Sequence, residues 1–195
     1  MKVYKHWGVP EPYARFSTPD EDQALWRREF HGESKADAWR PIELHPAEED
    51  PGVPLPLGPI ADMTTVNSVI KNCVWGPRAR AALEPHVKHL GEFLPLRCKE
   101  ADWVLFNVTR TLDALDEDAS ELIHFNDPGP KVLRFVKMVF KPEMLEGELL
   151  FRIPQRGGYD LFVTDAFARL VEQHGLVGFN LKLVWDSDAP VPPVT

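Results

Sequence analysis

The stretch LFVTDAFARLVEQHGLVGFNLKLVW, residues 161–185, decides the fold class. Leu161-Phe162-Val163 is a short apolar run of the kind that forms a buried strand. Thr164 carries a side-chain oxygen suited to an N-cap, and Asp165 follows where the helix dipole favours negative charge. Phe167, Leu170, Val171 and His174 recur at the i, i+3, i+4, i+7 spacing of one helix face. Gly175 stands where a left-handed C′ residue is needed, and Leu176 is placed to fold back on Val171 in a Schellman stop. From Gly178 onward Phe179, Leu181, Leu183 and Trp185 alternate with Asn180 and Lys182, which is the period of a strand.

Working outward, strands outnumber helices. Ala101 to Arg110 reads as a strand with Trp103, Leu105 and Asn107 on one side and Val104, Phe106 and Val108 on the other. Glu92 to Cys98, Leu122 to Phe125, Val132 to Phe140 (ended by Lys141-Pro142) and Leu149 to Ile153 read as further strands. Pro128-Gly129-Pro130 and Gly157-Gly158 mark turns. Gly76-Pro77 precedes Arg78-Ala79-Arg80-Ala81-Ala82-Leu83, a short helix with proline in its first turn. Asp62 to Asn72 is expected to hold a helical turn, and Gln23 to Phe30 a short helix. Strands in runs with a few short helices predict an α+β fold with a largely antiparallel sheet.

The organisation along the chain is uneven. Residues 1–59 read as an irregular N-terminal segment, in which Trp7, Tyr13, Phe16, Trp26, Phe30 and Trp39 act as anchors on a core formed later. Within it, His45 to Pro59 holds Pro46, Pro51, Pro54, Pro56 and Pro59 and reads as an extended, stiff connector. Residues 60–186 form the α+β domain, and 187–195 a loose, proline-rich tail. The 19 prolines of the 195 residues are about double the usual share of roughly one in twenty, which favours turns and connections over long helices.

Composition narrows the function classes. The formal net charge is −8, and no basic cluster of the kind that displaces counterions from phosphates is present. Direct nucleic-acid binding and attachment to anionic membranes are therefore disfavoured. A basic protein partner suits such a charge, and so does plain solubility. Cys73 and Cys98 form no C-x-x-C pair and read as free thiols of a reducing compartment. No apolar run resembles a signal peptide or reaches membrane-spanning length, so a cytoplasmic protein is expected.

The constellations that imitate chemistry are incomplete. His86 and His89 share a helix face, but zinc needs at least a third ligand. Asp116, Asp118, Ser120 and Asp127 imitate a calcium loop, which fails where Glu121 replaces the glycine of the sharp turn. Ser120, His124 and Asp127 supply the residue types of a hydrolase triad without a nucleophile elbow. No catalytic residue, metal ligand or cofactor site is assigned. One feature is left over: Asp113, Asp116, Glu117, Asp118 and Glu121 concentrate negative charge between two strands. They form either an exposed capping loop or a contact surface for a basic partner.

Several blocks resemble a known family. They are Trp75-Gly76-Pro77-Arg78-Ala79-Arg80-Ala81-Ala82-Leu83, Phe93-Leu94-Pro95-Leu96, Trp103-Val104-Leu105-Phe106-Asn107-Val108, and Leu112-Asp113-Ala114-Leu115-Asp116 with Ser120-Glu121. The more specific ones are Leu150-Phe151-Arg152-Ile153-Pro154, Phe162-Val163-Thr164-Asp165-Ala166-Phe167 and Gly175-Leu176-Val177-Gly178-Phe179. In this order, over about residues 60–185, they resemble the immunity-eleven family of bacterial polymorphic toxin systems. The resemblance implies a non-enzymatic immunity protein that binds a cognate toxin and occludes it. It carries over no catalytic residue. A basic, nuclease-like toxin would match the acidic loop. The alternatives are an enzyme that reverses a toxin's modification or hydrolyses a small substrate, with Ser120, His124 and Asp127 as candidates, and a cytosolic scaffold without a toxin.

Overall fold

The computed structural model describes residues 1–6, 8–19, 30–47, 58–66, 69–99, 101–125, 132–157 and 159–189, with backbone only at 69–72 and 156. Its strands are β1 (Lys2–His6), β2 (Phe16–Ser17), β3 (His45–Pro46), β4 (Met63–Val66), β5 (Val69–Trp75), β6 (Gly91–Pro95), β7 (Val104–Val108), β8 (Glu121–His124), β9 (Val132–Lys137), β10 (Leu150–Arg152), β11 (Leu161–Thr164) and β12 (Leu181–Asp186). The α-helices are α1 (Pro77–Val87) and α2 (Asp165–Gln173). Among the described residues the strands form a four-stranded sheet ordered β10-β11-β1-β12, a six-stranded sheet ordered β3-β2-β4-β5-β7-β6, and a two-stranded ribbon, β8-β9. All pairings are antiparallel except β2 with β4. The fold is α+β and mostly sheet, as the sequence predicts.

Strand alternation assigns each face to a different core. On β7, Val104, Phe106 and Val108 enter a central cluster with Trp75, Leu83 and Phe167, while Leu105 joins Trp103, Val74 and Leu94 in another. On β11, Leu161 and Val163 face the central cluster and Phe162 faces a third, with Phe140, Phe151 and Trp185. The central core therefore lies between the two large sheets, and each sheet covers a further core on its outer side. Both helices feed the central core, α1 through Ala79, Leu83 and Val87 and α2 through Phe167 and Val171. The ribbon β8-β9 closes the core outside the four-stranded sheet through Val132 and Phe135. The N-terminal segment closes the other through Ala14, Phe16, Phe30, Ile42 and Leu44. Burying all five residues of β7 is what a strand covered on both faces requires.

The end of α2 follows the expected stop. Gly175 has φ +55°; its N–H donates to Glu172 O at 2.9 Å, and the Leu176 N–H donates to Val171 O at 3.0 Å. These are the two hydrogen bonds of a Schellman motif, and the Leu176 and Val171 side chains share the central core. The start of α2 differs from expectation. Thr164 is the N-cap residue, but its hydroxyl makes no capping bond. It donates instead to Glu148 O at 2.7 Å, tying the helix start to the turn before β10. Asp165 follows as expected, held by Arg169 and by the Lys2 N–H.

Other expectations need correction. The described residues of Asp62 to Asn72 form β4 and the start of β5, with no helical turn among them. Thr64, Thr65, Val66, Val69 and Ile70 are β-branched, and such side chains favour the pleated surface over a helix. The first third is not irregular throughout, because Lys2–His6 is an inner strand of the four-stranded sheet, paired with β11 and β12. The strand expected over Val132 to Phe140 ends at Lys137, and Phe140 makes only an isolated bridge to Leu115. The proposed helix from Gln23, except for Phe30, the anchors Trp7 and Trp26, and most of the proline connector lie outside the described residues.

Candidate partner-binding surface

The acidic segment is a loop held at both ends by backbone hydrogen bonds. The Leu112 N–H donates to Arg152 O at 2.9 Å, and the Asp116 N–H donates to Val139 O at 2.8 Å. Leu112, Ala114 and Leu115 point into the core under the ribbon, which turns Asp113 outward. The structure thus brings the five candidate acids to one rim, at the base of β8-β9, and gives them different jobs.

Asp116 shapes the loop. Its Oδ1 accepts the Ala119 N–H at 3.1 Å, and its carbonyl accepts the Ser120 N–H at 3.0 Å and the Ser120 hydroxyl at 2.5 Å. Side chains of this length commonly fold such turns. Asp113 and Glu117 converge on one amide: Gln155 Nε2 donates to Asp113 Oδ1 at 3.1 Å and to Glu117 Oε1 at 3.0 Å. Lys141 Nζ approaches Asp113 Oδ2 at 3.7 Å. Asp118 is exposed at the loop's apex, and Glu121, also exposed, opens β8 opposite Lys137. Four of the five therefore present carboxylates to solvent, and the fifth holds the backbone that displays them.

Among the described residues the alternative chemistry at this loop is not assembled. The Ser120 hydroxyl donates to Asp116 O and accepts the Val139 N–H at 2.9 Å, so it serves the backbone. His124 is exposed on the ribbon, and Asp127 lies outside the described residues. Among the described residues no three His, Cys, Asp or Glu side chains are placed to hold a metal ion. This covers Asp116 and Asp118, and also His86 on α1 and His89 beyond its end.

Two features escape a reading of the sequence. The first is the outer face of the ribbon. Residues of β9 are buried at Val132 and Phe135, and Met138 follows, a period of three instead of two. The cause is a pair of register shifts: Leu122 faces Phe135 while Glu121 faces Lys137, and His124 faces Val132 while Ile123 faces Arg134. Each shift inserts one residue on β9, Val136 and Leu133, which bends and twists the strand. Ile123 and Leu133 on the ribbon, and Phe125 directly after β8, are left 39%, 45% and 50% exposed. Bulges leave no mark in an apolar pattern, so only the shifted period itself could have signalled them.

The second is a buried charge cluster. Arg152, fully buried on β10, donates from Nε to Val108 O at 2.7 Å and from Nη1 to Tyr159 O at 3.5 Å. Burial pulls its pKa down to about 10, opposed by the nearby charges of Asp160 and Glu33. Asp160 in turn pairs with Lys5 on β1. The cluster bolts β1, β7, β10 and the 159–160 segment together across the core.

Residues 97–186, from just after β6 to the end of β12, match the model of a family of immunity proteins. The matching model is described as Immunity protein family (Imm11), and this part of the chain is similar to it. The acidic loop, the ribbon and Arg152 all lie within the matched residues, while the blocks at Trp75–Leu83 and Phe93–Leu96 lie outside them. No curated protein matches the chain. No helix among the described residues is long and apolar enough to cross a membrane.

Proposed function

We propose that this chain is an immunity protein that binds a cognate bacterial toxin and neutralises it by occlusion. The observation that carries this reading is the family match over residues 97–186, which takes in β7 through β12 and the exposed acidic rim between them. The rim fits a basic toxin, such as a nuclease, whose own active surface must attract phosphate. Glu117, Asp118 and Glu121 would speed encounter by steering, and desolvated anchor residues would hold the complex. Ser120, committed to backbone atoms, supports a binding role over hydrolysis.

The test is co-expression of the protein encoded by the neighbouring gene, with and without this chain, followed by co-purification. Growth rescue together with a stoichiometric complex is the expected result. Rescue without a complex would favour an enzyme that undoes the toxin's product, and no rescue would remove the immunity reading.

A further inference from the structure

We infer that the outer face of the β8-β9 ribbon, carrying Ile123, Phe125 and Leu133, is the surface on which the cognate toxin seats an apolar patch bordered by basic side chains. This inference rests on the functional reading above and deepens it by naming where the binding energy resides.

Three observations carry it. First, large exposed apolar side chains are few, and they cluster here. Ile60, Ile123, Phe125, Leu133, Met144 and Val177 are the exposed large hydrophobics among the described residues; two of these six, Ile123 and Leu133, lie on the β8-β9 ribbon, and Phe125 directly follows β8. Ile123 faces Arg134, whose chain neighbour is Leu133, and Phe125 follows His124, which faces Val132. The three side chains therefore sit within two residues of one another across the ribbon. Contiguous apolar surface on an otherwise polar face marks an interaction site more often than isolated residues do.

Second, the core does not account for these residues. Val132, Phe135 and Met138 already bury the ribbon's inner side, with Leu122 packed against them. The bulges on β9 let Val132 and Phe135, three residues apart, both point inward, and Leu133 between them is exposed. A two-stranded ribbon is marginal by itself and is stabilised by cover on its faces. Here one face has its cover and the other presents Ile123, Phe125 and Leu133.

Third, the surrounding charge selects the occupant. The acids Glu117, Asp118 and Glu121 lie at the base of β8, and Glu121 is four residues from Phe125, a span of about 13 Å along a strand. Arg134 and Lys137 lie on β9 instead. An apolar centre with a charged rim is the layout of a protein interface whose core supplies affinity and whose rim supplies rate and orientation. On β9, Lys137 faces Glu121 and Arg134 faces Ile123, so the unopposed acids are Glu117 and Asp118 in the loop before β8, and a partner's basic border meets them at the base of the ribbon.

The experiment pairs a double variant with a protection map. Phe125→Asp with Leu133→Asp places charge on the exposed face and leaves the buried Val132 and Phe135 unchanged, so its melting temperature should stay near that of the wild type. Against the purified cognate toxin, wild type should bind and the variant should lose at least 100-fold in affinity and fail to protect cells. Hydrogen exchange of the wild-type complex should slow at 121–125 and 132–137, a readout independent of the variant's folding. A double variant that binds within twofold of wild type, or a complex with unchanged exchange across the ribbon, would overturn the surface while leaving immunity intact. Wild-type protein that does not bind its toxin would overturn both.

Discussion

Asn107 on β7 donates from Nδ2 to Glu92 Oε1 on β6 at 2.8 Å, across a register pair in which the two residues face each other. The same carboxylate accepts the Ser34 hydroxyl at 2.8 Å and the backbone N–H groups of Lys35 at 2.5 Å and Ala36 at 3.3 Å. Asn107 also donates to Glu33 O at 2.8 Å. One carboxylate and one amide thus fasten the N-terminal segment to the six-stranded sheet.

Glu92 should make stability sensitive to acid. Burial raises its pKa, but the bonds from Asn107, Lys35, Ser34 and Ala36 outweigh burial and leave it below the usual 4.5. A carboxyl depressed in the folded state stabilises above its unfolded pKa, and that contribution is lost as pH falls through the folded value. Glu92→Gln should cost about 1.5–3 kcal/mol at neutral pH, the range for hydrogen bonds to a charged group. It should also flatten the stability profile below pH ~4.5. Urea unfolding at several pH values measures both.

Arg152→Ala should be among the most damaging single changes. It leaves Val108 O without the bond from Nε and removes the positive charge beside Asp160. Breaking a buried charged group from its partners costs about 3–5 kcal/mol. Arg152→Lys should recover only part of this, because an ammonium cannot reproduce the planar fork. Denaturant midpoints of the two variants give the comparison.

The thiols should separate cleanly. Burial pushes Cys73 up to about 12, and thiolate is the reactive form. Cys98 is only partly buried. Native protein should therefore take up one equivalent of an alkylating reagent, at Cys98, and a second at Cys73 only in denaturant. Mass spectrometry of labelled peptides reads the sites directly.

The acidic rim should govern association kinetics. Glu117→Lys with Asp118→Lys should slow toxin association about tenfold at low salt and weaken its dependence on ionic strength, with a small effect on dissociation. Asp116 is left intact, since its carboxylate holds the Ala119 N–H. Stopped-flow association at two salt concentrations checks this, and unchanged rates would remove the rim from the account.

What the sequence makes legible is what local chemistry determines. The Schellman stop at Gly175 depends on residues within one helical turn, and the two faces of β7 follow from simple alternation. β1 is harder to read. Its partners in β11 and β12 lie at the other end of the chain, and of its residues only Val3 and His6 are buried. Thr164 has the right chemistry for a cap, yet a tertiary acceptor, Glu148 O, takes its hydroxyl. At the candidate surface the acidic loop stands out as a run of charge. The apolar face beside it does not, because the bulges at Leu133 and Val136 decide which side chains point outward.

The most direct test of the immunity reading is a calorimetric titration of the purified toxin domain with this chain, with toxin activity assayed at each step. Binding by occlusion predicts a saturable complex and activity that falls in proportion to occupancy. Toxin activity that persists at saturation, or protection of cells with no heat of binding and no complex, would contradict it.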